Sequence, residues 1–163
     1  GKNIYDVLDM TIEDSLKFFE NSKTIINKLR PLNDVGLGYL KLGQSSSTLS
    51  GGEAQRLKLA SYLIQDNKVS KNNSLFIFDE PTSGLHNMDI ENFMKSVNDL
   101  IARDNSVIII EHNTELIKQA DWIIDMGPGG GENGGTICFE GEPTELVNTN
   151  NNKTGKYLRK MFV

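Results

Sequence analysis

Two uninterrupted apolar runs, Leu75-Phe76-Ile77-Phe78 and Val107-Ile108-Ile109-Ile110, stand out from an otherwise mixed chain. Short runs without alternation predict strands buried on both faces. Between them, Ile90, Phe93, Met94, Val97, Leu100 and Ile101 recur at helical spacing and predict a helix over 90–102. Beyond the second run, Glu115 to Ala120 reads as a short helix, and Trp122-Ile123-Ile124 opens a third strand. Thr136 to Glu140 reads as a fourth strand. The glycine-rich stretch from Gly127 to Gly135 joins these two as a hairpin connection. A short helix near Glu145-Leu146-Val147, an Asn-rich loop over 148–152 and a last helix around Tyr157, Leu158 and Met161 complete the chain.

The first part is patterned differently. Thr11-Ile12-Glu13-Asp14 has the look of a helix cap, followed by Ile12, Leu16 and Phe19 at helical spacing with Phe18 beside them. Ile25, Ile26, Leu29 and Leu32 form a second amphipathic stretch, which Pro31 is expected to kink or restart. Gly36 and Gly38 close this region. A polar linker, Gln44-Ser45-Ser46-Ser47-Thr48, leads to Leu49-Ser50-Gly51-Gly52-Glu53-Ala54-Gln55-Arg56, and Leu57, Leu59, Ala60, Leu63 and Ile64 continue a helix after it. Residues 66–74 read as polar loop. Strands alternating with helices predict an α/β fold with a mostly parallel sheet, edged by the hairpin and preceded by a helical segment. The expected division is 1–48, helical, and 49–163, the sheet-bearing core.

Composition narrows the classes. With 163 residues, 37% hydrophobic and 24% charged, the chain has the balance of a globular domain. It shows neither a membrane-spanning run nor a signal-peptide pattern, so the expectation is a cytoplasmic protein without a membrane partner. A single cysteine, Cys138, rules out an internal disulfide and any multi-cysteine zinc site within these residues. The net charge of −5 does not favour a general nucleic-acid binder. Lys17, Lys23, Lys28, Arg30 and Lys41 are interleaved with Asp6, Asp9, Glu13, Asp14, Glu20 and Asp34, as on a solvated helical surface.

Three places carry chemistry. Ser50-Gly51-Gly52 sits where a helix begins, and helix N-termini bind anions through unpaired N–H groups and partial positive charge. Glycine admits a phosphate closely, and serine either caps the helix or donates to a phosphate oxygen. Asp79 and Glu80 end an apolar run, at the carboxyl end of a strand, where open α/β sheets bind ligands. There Asp79 would hold magnesium through its water shell, and Glu80 would orient or deprotonate an attacking water. A pair of ordinary loop carboxylates is the competing reading, disfavoured by the four apolar residues before them. His112 follows the second strand and is placed to sense a γ-phosphate. His86 competes more evenly with an exposed turn residue. No G-x-x-x-x-G-K-[ST] phosphate loop occurs; Gly127–Gly135 and Gly155-Lys156-Tyr157 both fail the pattern.

These segments, in this order, resemble the C-terminal part of the second ABC ATPase module of UvrA, the family of damage-recognition ATPases in the excinuclease ABC system of bacterial nucleotide excision repair. The resemblance runs through Tyr5 to Glu13, Asp34-Val35-Gly36-Leu37, Leu49–Arg56 and Asp79-Glu80-Pro81-Thr82-Ser83-Gly84-Leu85-His86. It continues through Ile110-Glu111-His112-Asn113, Ala120 to Asp125 and Gly127-Pro128. Glu53-Ala54 stands where transporter ATPases usually have glutamines, and His86 where they usually have aspartate.

The resemblance implies a parent that uses ATP and magnesium and recognises damage on DNA, with two ABC modules per chain and a dimeric assembly. Ser50, Gly51, Gly52 and Glu53 would form the signature that touches ATP held by a partner module. Asp79 would be the Walker B residue, Glu80 and His112 catalytic, and Ser83, Gly84, Leu85 and His86 the D-loop. The Walker A lysine, the Q-loop glutamine and the zinc-binding cysteines are expected upstream, so no zinc is expected here. The implied partners are damaged DNA and a UvrB-like protein. The alternatives are a transporter ATPase segment, a non-enzymatic assembly module, and an SMC- or MutS-like DNA ATPase; the lack of long heptads argues against the coiled-coil version of the last.

Overall fold

A computed structural model describes residues 1–65, 73–129 and 134–161. The chain divides into two compact units, Gly1–Glu111 and His112–Val163.

In the first unit, helices α1 (Ile4–Leu8), α2 (Ile12–Phe18) and α3 (Lys23–Leu32) come first. Asn3 and Asp6 cap α1 reciprocally, and the Thr11 hydroxyl accepts from the Asp14 N–H at the start of α2. Pro31 does not interrupt α3 as expected. It lies in the last turn, where its missing N–H removes a single bond, and the break falls later, in the wide turn Asn33–Leu37. There Gly36 takes φ +77°, and a Cβ on it would lie 2.9 Å from Leu85 Cδ2. The site therefore needs glycine for its backbone and for its packing.

Helix α4 (Gly51–Gln65) follows, then strand β1 (Leu75–Asp79), helix α5 (Asn87–Ile101) and strand β2 (Ser106–Ile110). The two strands are parallel and in register from Leu75 opposite Ser106 to Asp79 opposite Ile110. A row of edge-to-face and stacked rings, Tyr62–Phe76–Phe78–Phe93, ties α4 through β1 to α5. Val35, Leu37, Leu59, Ile90, Phe93, Val97 and Leu100 fill the core around it. The strands are not buried on both faces, as their composition predicts. Leu75, Ile77, Ile108 and Ile110 are each half or more exposed, because the described helices cover only the face carrying Phe76 and Phe78.

The second unit holds α6 (Thr114–Ile117), the antiparallel pair β3 (Ile123–Gly127) and β4 (Thr136–Gly141), then α7 (Pro143–Leu146) and α8 (Lys153–Leu158). The expected hairpin is present, and among the described residues it makes a two-stranded sheet of its own. Part of its glycine-rich connection, 130–133, and most of the expected 66–74 loop lie outside the described residues. Ile123, Leu146 and Leu158 form the core, with Ile117, Ala120, Phe139 and Val147 packed against it. Asp125 accepts from Asn152 Nδ2 at 2.7 Å and Thr154 Oγ1 at 2.9 Å, pinning α8 to β3. Among the described residues, no helix is long and apolar enough to cross a membrane.

Candidate functional site

The site is built where α4 begins. Ser50 and Glu53 cap the helix reciprocally. The Ser50 N–H donates to Glu53 Oε2 at 2.7 Å, and the Glu53 N–H donates to Ser50 Oγ at 3.3 Å. Capping is thus real, and it leaves the serine proton available to a ligand, since Oγ acts here as an acceptor. The N–H groups of Gly51 and Gly52 belong to the first turn, which has no intrahelical acceptors for them. A Cβ at Gly51 would meet nothing within 4 Å, so this side of the turn is open. A Cβ at Gly52 would lie 3.3 Å from Arg56 Nη1 and 3.4 Å from the Glu80 carbonyl oxygen. Glycine lets the helix start pass the end of β1 without pressing on the Arg56 guanidinium.

Glu53 has a second partner. The Tyr39 hydroxyl donates to its Oε1. That bond, followed by the Ser50 N–H, holds the Glu53 carboxyl below its ordinary value of 4.5. Tyr39 is pushed above 10.0, first by partial burial and then by the bond to Glu53. A carboxylate here complements the helix dipole. It also occupies the Ser50 N–H, so that this donor is spent within the turn.

Asp79 and Glu80 are exposed at the end of β1. Glu80 takes φ +48°, a left-handed conformation that a side-chain-bearing residue adopts at a cost of about 1–2 kcal/mol. Its N–H still donates to the Ile110 carbonyl at 2.9 Å, so the strand pair holds up to the point where the chain turns. The turn itself separates the two carboxylates from the alternation of the strand. Beyond it, the Ser83 N–H donates to the Glu80 carbonyl at 3.1 Å and the Leu85 N–H to the Thr82 carbonyl at 3.0 Å. Gly84 takes φ +78° with open space around it. Leu85 is half-buried against Gly36, while Ser83, Gly84 and His86 are exposed. His86 stands at the N-cap of α5 without a side-chain capping bond.

Four residues that sequence reading does not single out hold this arrangement. Gln55 bonds the Asp79 backbone twice, with Nε2 donating to the carbonyl and Oε1 accepting from the N–H, both at 2.9 Å. Arg56, 1% exposed, donates from Nη1 to the Pro81 carbonyl at 2.6 Å and the Ser83 carbonyl at 3.4 Å. Glu111 Oε1 accepts from the Thr82 N–H at 3.0 Å and from the Thr82 hydroxyl. Tyr39 is the fourth. Gln55 and Arg56 lie within the signature string, and Glu111 beside His112, but their bonds run to backbone groups, which no residue spacing reveals. The structure thus brings the signature turn, the strand-end carboxylates and the 81–86 loop together in the first unit. His112 is the exposed first residue of the second unit.

A glycine-opened helix bonded to the carboxylate-bearing end of a parallel strand is the arrangement expected of the ABC-type ATPase segment that the sequence resembles. The chain is 52% identical over 162 residues to UvrABC system protein A of Mycoplasmopsis pulmonis, covering 99% of this chain and 17% of that protein. It is 53% identical to the Staphylococcus aureus (strain COL) protein of the same name over 162 residues, and 53% identical to the Clostridium perfringens one over 160 residues. Each of these matches again spans 17% of the relative. The crystal structure of UvrA2 from Deinococcus radiodurans superposes with a TM-score of 0.81 and 41% identity over 98% of this chain and 19% of that one. No protein-family model matches. Over nearly its whole length this chain thus matches UvrABC system protein A, in a stretch that fits a C-terminal portion of such a protein.

Proposed function

We propose that this chain is the signature and catalytic-carboxylate part of the second ATPase module of a UvrA-type DNA-repair protein, with 1–48 as a helical part and 49–163 as the ATPase core. The observation that carries this reading is the direct bonding of α4 to the end of β1, through Gln55 to Asp79 and Arg56 to Pro81. Exposed carboxylate oxygens suit a hard cation such as magnesium, and the open start of a 15-residue helix suits a phosphate. In this reading Asp79 holds magnesium, which neutralises developing phosphate charge when bound. Glu80 orients the attacking water and accepts its proton, and His112 senses the γ-phosphate. Ser50, Gly51 and Gly52 meet ATP held by another module, with Glu53 setting which N–H groups are presented. Ser83, Gly84, Leu85 and His86 form the loop between the two.

The parent protein hydrolyses ATP as a dimer with two modules per chain and couples this to damaged DNA and a UvrB-like protein. Zinc is bound by a segment outside this chain. The exposed row Leu75, Ile77, Ile108 and Ile110 is covered by the remainder of the module.

Steady-state ATP hydrolysis by the purified 163-residue chain, beside the full-length parent, tests the assignment. The parent turns over and the chain alone does not, because the phosphate loop supplies most of the grip on the β- and γ-phosphates. Turnover by the chain at the parent's rate would refute the assignment of its missing half to another segment.

A further inference from the structure

The side-chain amide of Gln55 spends both of its polar ends on one residue of the main chain. Oε1 accepts from the Asp79 N–H and Nε2 donates to the Asp79 carbonyl, each at 2.9 Å. Bonding both groups of a single residue is what a neighbouring strand does in a ladder. At this position β2 does not do it. The parallel partner takes the next N–H, that of Glu80, through the Ile110 carbonyl. Gln55 therefore stands in for a strand on the opposite edge of β1, at its last residue.

The consequence is geometric. Fixing the N–H and C=O of Asp79 fixes the peptide planes on both sides of its Cα, and so the direction in which its side chain leaves the backbone. The Glu80 residue that follows is left-handed, where the backbone needs support to stay. Gln55 lies three residues after Gly52, on the first turns of α4. No shorter or differently charged side chain repeats the contact. Asparagine lacks one methylene, and a glutamate carboxylate can accept from the Asp79 N–H but would set a second oxygen against the Asp79 carbonyl.

We infer that Gln55 is a positioning residue, aiming the Asp79 carboxylate by clamping its backbone and tying that aim to the start of α4. This rests on the reading of Asp79 as the magnesium-holding residue. Loss of the clamp then weakens magnesium use more than ATP binding, because the positions that meet phosphate are untouched. Partners that orient metal-holding groups typically matter by about 10–100-fold in affinity or activity.

The test uses the full-length parent protein. Manganese binding in place of magnesium is followed by electron paramagnetic resonance beside a non-hydrolysable ATP analogue, and Gln55→Met is expected to weaken it about 10-fold. ATP hydrolysis is measured against magnesium at saturating ATP and against ATP at saturating magnesium. Gln55→Met keeps the length and removes both bonds. It is expected to raise the half-saturating magnesium concentration about 10-fold and lower kcat about 10-fold, with KM for ATP changed less than about 3-fold. Gln55→Glu gives a second readout that survives any loss of stability in the first. A protonated glutamic acid offers one donor and one acceptor, as glutamine does. Its activity relative to the unaltered protein is expected to rise as pH falls, whereas Gln55→Met, with no titrating group there, gives no such trend. Asp79→Asn separates the two claims. If it abolishes turnover while both Gln55 variants keep the unaltered magnesium dependence and pH profile, the inference about Gln55 is wrong and the reading of Asp79 stands. If Asp79→Asn itself turns over normally, the underlying reading fails.

Discussion

The guanidinium of Arg56 and the carbonyl of Pro81 meet at 2.6 Å with Arg56 only 1% exposed. Main-chain oxygens hold the cation, with a second, longer contact to Ser83 at 3.4 Å, and its Nε has no hydrogen-bond partner among the described residues. Burying a charge is costly, and here the nearby Glu53 carboxylate offsets part of that cost while the guanidinium fixes the 81–83 backbone. Arg56→Lys keeps the charge but loses the planar guanidinium that places Nη1 between the two carbonyls. Expected is a loss of about 2–3 kcal/mol in urea denaturation of the chain, and more for Arg56→Ala, which leaves the buried Pro81 carbonyl unpaired.

Glu80 combines a proposed catalytic role with an unfavourable backbone. Glycine or asparagine accepts φ +48° more readily than glutamate. Glu80→Asn is therefore expected to hold or raise stability, by up to about 1 kcal/mol, while removing turnover from the parent. Thermal melting and initial rates, measured on the same variant, would show the two properties moving in opposite directions. A loss of stability would remove backbone strain from the account.

Gly36 and Gly84 have nearly the same φ, +77° and +78°, but different surroundings. A Cβ at Gly36 runs into Leu85 at 2.9 Å, while at Gly84 it meets nothing within 4 Å. Gly84→Ala is expected to cost about 1 kcal/mol, the backbone penalty alone. Gly36→Ala also displaces the end of the half-buried Leu85 side chain and is expected to cost up to about 1 kcal/mol more. Equal denaturation midpoints for the two variants would contradict the packing of Leu85 against Gly36.

The Tyr39–Glu53 bond makes the signature turn sensitive to acid. The Glu53 carboxyl is depressed below 4.5, first by the Tyr39 hydroxyl and then by the Ser50 N–H. A depressed carboxylate contributes stability above its unfolded value and loses that contribution as pH falls through its folded value. Tyr39→Phe removes the larger cause, so the Glu53 titration followed by side-chain carbonyl NMR is expected to move up toward 4.5. Acid-side loosening of the turn should then begin at a higher pH. An unmoved titration would show that the hydroxyl does not hold the carboxylate.

The order of the chemistry-bearing strings is legible in the chain, and the structure explains why. Ser50-Gly51-Gly52, Asp79-Glu80 and His112 are each tied to the end of an element, and element ends are marked by glycine, by apolar runs and by capping residues. The fastenings between them are not legible. Gln55, Arg56 and Glu111 act on backbone groups of residues 79–83, and a backbone partner leaves no trace in side-chain spacing. Pro31 suggests a break by its ring, yet the chain turns instead at Gly36, which supplies the left-handed backbone. The apolar runs mislead for a related reason. Leu75, Ile77, Ile108 and Ile110 have the composition of a two-sided core, but the described helices of the first unit supply a layer on one side only.

The proposed role of Glu80 in ATP hydrolysis at the end of β1 is tested most directly by one measurement. In the full-length parent, Glu80→Gln keeps size and backbone while removing the proton acceptor. Its ATP turnover, measured alongside equilibrium binding of a labelled nucleotide, is expected to fall at least about 100-fold with nucleotide binding retained. Turnover at the unaltered rate would contradict the account.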